Sequence, residues 1–392
     1  MLHRLLSIIL FAVSALAASA QSVAQLLSTI EQNNLQLRAA RENTAAAVAD
    51  LEAANTLGPT SVEYSPFFHA RYPGIVSSEL IVTQEFEYPT LYAKRRQSAR
   101  LQGRVGELEY RTLRRDVLQE AAQCCNDLVA ARDNERLMRR RIEAADSLLS
   151  IFEKRLKHGH ATLIDVNRIR MDRMGLATEV AECATATLRL REQLQRLNGD
   201  QPLQFSLDEL QPVTETMASG EVPAFATAEE TLEMQTAEAA LDATQHDLQL
   251  SRKSWLPTFT AGFRVNTEQR DANGGFVVGV AFPLFGNSKK QKAAKLHYSA
   301  AQLRLADAQA EAENRQRRLA TEAQSLKRTL ETYDVGLLEE TLQLLLRAVI
   351  AGEVTISEYY SEADRIIALL QQRLATETEY NNVLLQLFRE RL

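Results

Sequence analysis

The chain has 392 residues, with 45 Lys and Arg against 51 Asp and Glu, for a formal net charge of −6. That acidic balance argues against a nucleic-acid partner, and three cysteines are too few for a disulfide framework. Length alone would allow two or three globular domains. The sequence is instead rich in Ala, Leu, Glu, Arg and Gln and sparse in Gly and Pro, as long packed helices are.

Residues 1–20 carry an early His-Arg, an apolar run and Ala18-Ser19-Ala20 before Gln21, which is the pattern of a secretory signal peptide. No Cys follows that cleavage site, so N-terminal lipidation is not supported, and no later apolar run approaches the ~20 residues of a transmembrane helix. An exported chain of this kind is soluble, peripheral or part of a β-barrel.

Residues 21–199 read as a first repeat. A helix over 23–56 carries Ala at many positions, which lets neighbouring helices approach closely. A β-hairpin over about 60–88 follows, two extended runs around a Pro-Gly turn. In its second run Leu80, Val82, Phe86 and Tyr88 alternate with Glu79, Ile81, Thr83, Glu85 and Glu87. Lys94 to Leu197 then contains no proline. Its one interruption is Lys157-His158-Gly159-His160, so a helix of about 70 residues, roughly 100 Å long, runs out and a second runs back. Leu101, Val105, Leu108, Leu113 and Val117 recur at helical, heptad-like spacing, which calls for partner helices along the length. Cys124, Cys125 and Cys183 lie inside these helical patterns and read as small helix residues, although vicinal cysteines are also a form that binds metal or oxidises.

Residues 200–226, with Pro202, Pro212, Gly220 and Pro223, form a linker. Residues 227–392 repeat the plan. A helix over 227–254 leads to a second hairpin over about 257–285, in which Phe259, Ala261, Phe263 and Val265 alternate with Thr258, Thr260, Gly262 and Arg264. After an Asn-Gly-Gly turn, Phe276, Val278, Val280 and Phe282 alternate with Val277, Gly279 and Ala281. A helix from Lys289 to about Ala351 runs out, the chain turns near Gly352, and a helix from Thr355 runs back. Pro89 matches Pro283 and Gly159 matches Gly352 at nearly the same offset, 194 and 193 residues, as an internal duplication would place them.

The fold class expected is therefore mainly α with a small β part, a duplicated helix–hairpin–helix of long antiparallel helices. Each hairpin has one apolar face and one small or polar face, which suits a membrane strand and equally a soluble hairpin on a core. On the membrane reading, Phe259, Phe263, Val265, Phe276, Val278 and Val280 face lipid, while Glu63, Glu79, Glu85, Glu87 and Arg264 face a lumen. An acidic lumen suits the passage of cations. Four strands cannot close a membrane barrel, and an open sheet edge cannot sit in lipid, so several chains would have to share one barrel.

The doubled plan resembles the TolC family of outer-membrane efflux channels. The motifs that carry the likeness are Leu-Pro before a hairpin, Phe-Pro-Leu-Phe-Gly after it, and Tyr/Arg-x-x-x-Gly-x-x-(Thr)-x-x-(Asp/Glu) opening each return helix. The likeness spans essentially the whole chain beyond the leader. It implies an outer-membrane channel: a homotrimer with a twelve-stranded transmembrane β-barrel, an α-helical barrel crossing the periplasm, and docking on a periplasmic adaptor and an inner-membrane pump. The stretch QEFEYPTLYAKRR is further similar to members paired with heavy-metal pumps. In the family, acids after the tip glycine ring the periplasmic entrance. Here they match Asp165 and Glu358, with Arg168 and Ser361 one turn on where a second acid can stand, so that an Asp165–Arg168 pair could replace the second ring. The alternative role of the two acids is to sit at helix starts near the dipole. The tips His158-Gly159-His160 and Gly352-Glu353-Val354 match the adaptor contact.

A periplasmic adaptor or a coiled-coil scaffold of the cell envelope are the competing classes, and both lack two matched β-hairpins. No nucleophile–base pair, zinc motif or phosphate loop stands out, so no enzyme activity, cofactor or metal is expected.

Overall fold

The structure, a computed structural model, describes residues 23–213, 230–268, 271–283 and 287–392. The leader over 1–20, the linker from residue 214 onward and residues 284–286 lie outside the described residues. In chain order come α1 (Val23–Asn33), α2 (Leu35–Ala53), β1 (Thr60–His69), β2 (Tyr72–Glu87), α3 (Pro89–Lys157) and α4 (Leu163–Leu197). Then follow α5 (Leu232–Ser251), β3 (Thr258–Glu268), β4 (Asp271–Ala281), α6 (Asn287–Glu331), α7 (Val335–Ala351) and α8 (Ile356–Leu387). No described helix is long and apolar enough to cross a membrane. The helix–hairpin–helix plan is present twice.

Two expected helices are broken, and both breaks have a polar cap at their centre. The helix expected over 23–56 divides at Asn34, whose side chain turns back to accept from the Leu37 amide at 2.9 Å. The helix expected from Lys289 to Ala351 divides between Glu331 and Val335. There Asp334 leaves helical geometry and accepts from the Leu337 amide at 3.0 Å, restarting the chain as α7. By contrast α3 runs 69 residues unbroken, opened by Pro89 in the first turn, where its missing N–H costs nothing.

Both hairpins join one antiparallel sheet in the order β1-β2-β3-β4. The turns differ from expectation. The first falls between His69 and Tyr72, so Pro73-Gly74 lies inside β2 beside the register shifts of that hairpin. The second falls between Glu268 and Asp271, and Asn273-Gly274-Gly275 are strand residues paired with Asn266, Val265 and Arg264. Each strand thus runs past its turn-forming dipeptide, because ladder pairing continues beyond it. The expected alternation holds. Leu80 lies opposite Val265, Val82 opposite Phe263 and Phe86 opposite Phe259, while Phe263 lies opposite Phe276 and Ala261 opposite Val278. Directly opposed residues share a face. Gly262 permits the approach of β2: a Cβ there would stand 2.2 Å from the Val82 carbonyl oxygen.

By internal contacts the chain forms two units that cut across the repeats. Unit 2, residues 39–112 and 227–313, holds the sheet with α2, α5 and the adjoining parts of α3 and α6. In it α2 crosses α3 at glycines, with Val48 over Gly103 and Thr44 over Gly106, the close packing that the Ala-rich sequence implies. The Asp247 carboxylate accepts from Ser98 and from Gln102 on α3. Neighbouring His246 is buried, and neither ring nitrogen has a partner among the described residues.

Unit 1, residues 23–38, 113–213 and 314–392 among those described, holds the two helical turns at Gly159 and Gly352. Two of its core clusters lie toward the helix tips. One gathers Leu148, Phe152, Val166, Ile169, Val349, Ile356, Tyr359 and Tyr360 at the helix tips, and the next gathers Met138, Ala145, Leu176, Ile366, Ile367 and Leu370. Cys124 and Cys125 are buried, free thiols, both pushed up to about 12 by burial. The start of the linker is docked on α3, where Arg132 donates to the carbonyls of Leu207 and Leu210 and Asn126 accepts from the Val213 amide.

Candidate functional site

Each tip in unit 1 is the same local device built twice. Gly159 and Gly352 take φ of 74° and 85°, the left-handed region that a side chain resists. Three residues later a threonine caps the return helix. Thr162 Oγ1 accepts from the Asp165 amide at 3.1 Å, and the Asp165 carboxylate accepts from the Thr162 amide at 2.9 Å. Thr355 and Glu358 repeat this at 3.2 and 2.9 Å. These are two complete capping boxes. The Thr355 amide and hydroxyl hold the Glu358 carboxyl below its usual value.

The expected Asp165–Arg168 pair does not form. Arg168 instead donates to Ser357 Oγ at 2.9 Å and lies over the Tyr360 ring, so it joins the first-repeat return helix to the second. The physical reason is that Asp165 already spends its carboxylate on its own cap. Ser361 is exposed. His158, Gly159, His160, Gly352 and Glu353 are all exposed and Val354 is half-buried, and no cluster among the described residues could hold a metal ion.

About three and a half turns beyond the tip glycines lies a cluster that the sequence did not announce. Arg141 of α3 donates at 2.7 Å to Asp172 of α4 and also to Asp364 of α8. One cation therefore ties both return helices to the outgoing helix. Burial pushes the Asp172 carboxyl up, against the pull of Arg141. Its Oδ2 and the Tyr360 hydroxyl are both buried, and the two side chains interact with each other.

In unit 2 the sheet register sorts the strand residues by face. Phe259, Phe263, Val265, Phe276, Val278 and Val280 share one face with Val62, Tyr64, Leu80, Val82 and Phe86. That face is bare: Phe276 is 90% exposed and Val278 81%. The other face carries Glu63, Glu79, Glu85, Glu87 and Arg264. Two of its acids are neutralised, Glu79 by Arg264 and Glu87 by Arg95 at 2.6 Å. Glu63 and Glu85 have no ion pair among the described residues. The ladder leaves β1 and β4 each with one unpaired edge.

No protein-family model matches the chain, and no curated protein matches its sequence. Solved structures do match. A membrane protein from Pseudomonas aeruginosa is 17% identical with a TM-score of 0.77, over 94% of this chain and 93% of that one. The outer membrane protein VceC from Vibrio cholerae is 13% identical with a TM-score of 0.75, over 94% and 95%. The CmeC outer membrane channel of Campylobacter jejuni is 13% identical with a TM-score of 0.79, over 95% and 85%. A chain that repeats one helix–hairpin–helix, joins both hairpins in a single sheet and matches these structures over more than nine-tenths of its length has the TolC-like fold of outer-membrane channels, not the plan of an adaptor or scaffold.

Proposed function

We propose that the chain is one subunit of an outer-membrane channel, a passive conduit in a tripartite efflux system. The observation that carries this reading is the sheet. It has a mainly apolar face that is bare at Phe276 and Val278, an opposite face that carries the acids, and an unpaired edge on each of β1 and β4. Such a sheet is stable in lipid only if its edges meet further strands, and the least costly source is other copies of the chain. The apolar row then faces lipid and Glu63, Glu79, Glu85, Glu87 and Arg264 face water. Three copies supply the twelve strands that the TolC-like plan implies. The tips at 158–160 and 352–354 meet a periplasmic adaptor, which links the channel to an inner-membrane pump. Asp165 and Glu358 stand at the entrance as rings of negative charge. The fold supports a role in transport.

Glu63 and Glu85 without counter-ions favour cations in the lumen, as heavy-metal export would require. The test is conductance of the purified protein in a planar bilayer. The reading predicts discrete steps with cation preference, reduced in Glu63→Gln/Glu85→Gln. Absence of any step sinks the channel, and anion preference sinks the cation-selective lumen alone.

A further inference from the structure

In unit 2 the helices α2, α3 and α5 line a groove of about 470 Å³. Small residues make room for it: Ala47 on α2, Gly103 and Gly106 on α3, and Ala240 and Ala243 on α5. The two glycines let α2 settle on α3 through Val48 and Thr44. The alanines of α5 do not fill the space on the other side. A groove of this size holds a small organic molecule.

The lining carries two acids and no Lys or Arg. Asp247 of α5 accepts from Ser98 and, at 3.2 Å, from Gln102, so it stands level with Gln102 on α3. Each of its oxygens keeps a further lone pair. Glu109 lies seven residues on from Gln102, two turns along the same face of α3 and about 10 Å away. Neither acid has an ion pair among the described residues. The Thr44 and Thr244 hydroxyls donate to the carbonyls of Ala40 and Ala240 on their own helices, at 3.0 and 2.9 Å, which leaves them acceptor lone pairs for a ligand. Between the acids the surface is apolar, with Val105 and Gly106 on α3 and Ala47 and Ala243 beside them. The groove is an apolar trough with a carboxylate at each end.

We propose that this groove binds an elongated organic dication of the aliphatic diamine class, with its two ammonium groups about 10 Å apart. One ammonium meets Asp247 and the other meets Glu109, each through charge-assisted hydrogen bonds. The methylenes between them lie on the apolar floor and leave water. An anion is repelled by both carboxylates. A single metal ion, which needs its oxygens within about 2–2.6 Å, cannot bridge acids so far apart. The site lies within one unit of one chain, so it goes beyond the channel reading and does not rest on it.

The test is calorimetric titration of the full-length protein in a neutral detergent at low salt, where ion pairs are least screened. Octamethylenediamine spans the groove, tetramethylenediamine reaches one carboxylate at a time, and octanediol has the length without the charge. The expected result is one octamethylenediamine bound per chain, at least about fivefold tighter than the shorter diamine, as one added ion pair supplies. The diol should not bind. Glu109→Gln, at an exposed residue, should erase the difference between the two diamines. Asp247→Asn should do the same, and Glu109→Gln alone decides if that variant does not fold. Equal affinity for both diamines in the unaltered protein would overturn the proposal. So would an unchanged preference in Glu109→Gln, equal binding of the diol, or no binding of either diamine.

Discussion

Helices α4 and α8 start with the same cap, Thr162 with Asp165 and Thr355 with Glu358, yet bury very different amounts of themselves. Over its whole length α8 buries nine side chains in 32 residues, and α4 buries four in 35. Duplication copies local signals, so the caps agree to within about 0.1 Å in their bonds. Burial is not local. Helix α8 packs against both α3 and α7, while α4 has neighbours from its own chain on one face only. The contrast teaches that the chain in isolation is finished on its second-repeat return helix and unfinished on its first.

Truncation gives the largest test of that contrast. Ile367→Ala on α8, at 3% exposure, should cost about 2–5 kcal/mol. Leu188→Ala on α4, at 57% exposure, should stay within about 0.5 kcal/mol in dissociated chains. Denaturant unfolding in detergent measures both, and equal losses would break the comparison. Next comes Arg141→Gln, which leaves Asp172 and Asp364 without their shared cation. The expected loss is about 3 kcal/mol, together with faster hydrogen exchange in α4 than in α8, since α4 has less apolar packing to hold it. The smallest effects belong to the caps. Thr162→Ala and Thr355→Ala should each cost about 1 kcal/mol, and by the same amount. A clear inequality would mean that the two tips are not the same device.

Much of this was legible in the sequence because it is local. Period-two alternation placed Phe263 and Val278 on one face and Glu79 and Arg264 on the other, and the register agrees. Gly159 and Gly352 marked the tips because only a left-handed residue turns the chain there. The capping boxes were also within reach, as Thr-x-x-acid before a helix. Two turn positions were misplaced because Pro73-Gly74 and Asn273-Gly274 carry turn chemistry while sheet pairing runs past them. The breaks at Asn34 and Asp334 were missed because a helical period continues through both, and each is marked by a single side-chain cap. The tie from Arg141 to Asp172 and Asp364 joins residues 31 and 223 positions apart, which no spacing rule connects.

The claim on which the account turns is that several chains share one barrel. The most direct measurement is the mass of the detergent-extracted outer-membrane species before and after heating. The account predicts a stable assembly of roughly three chain masses, consistent with cyclic closure, that collapses to single chains only on heating. A monomer in the soluble periplasmic fraction would contradict it, since the bare face of Phe276 and Val278 would then have to be covered by something other than lipid.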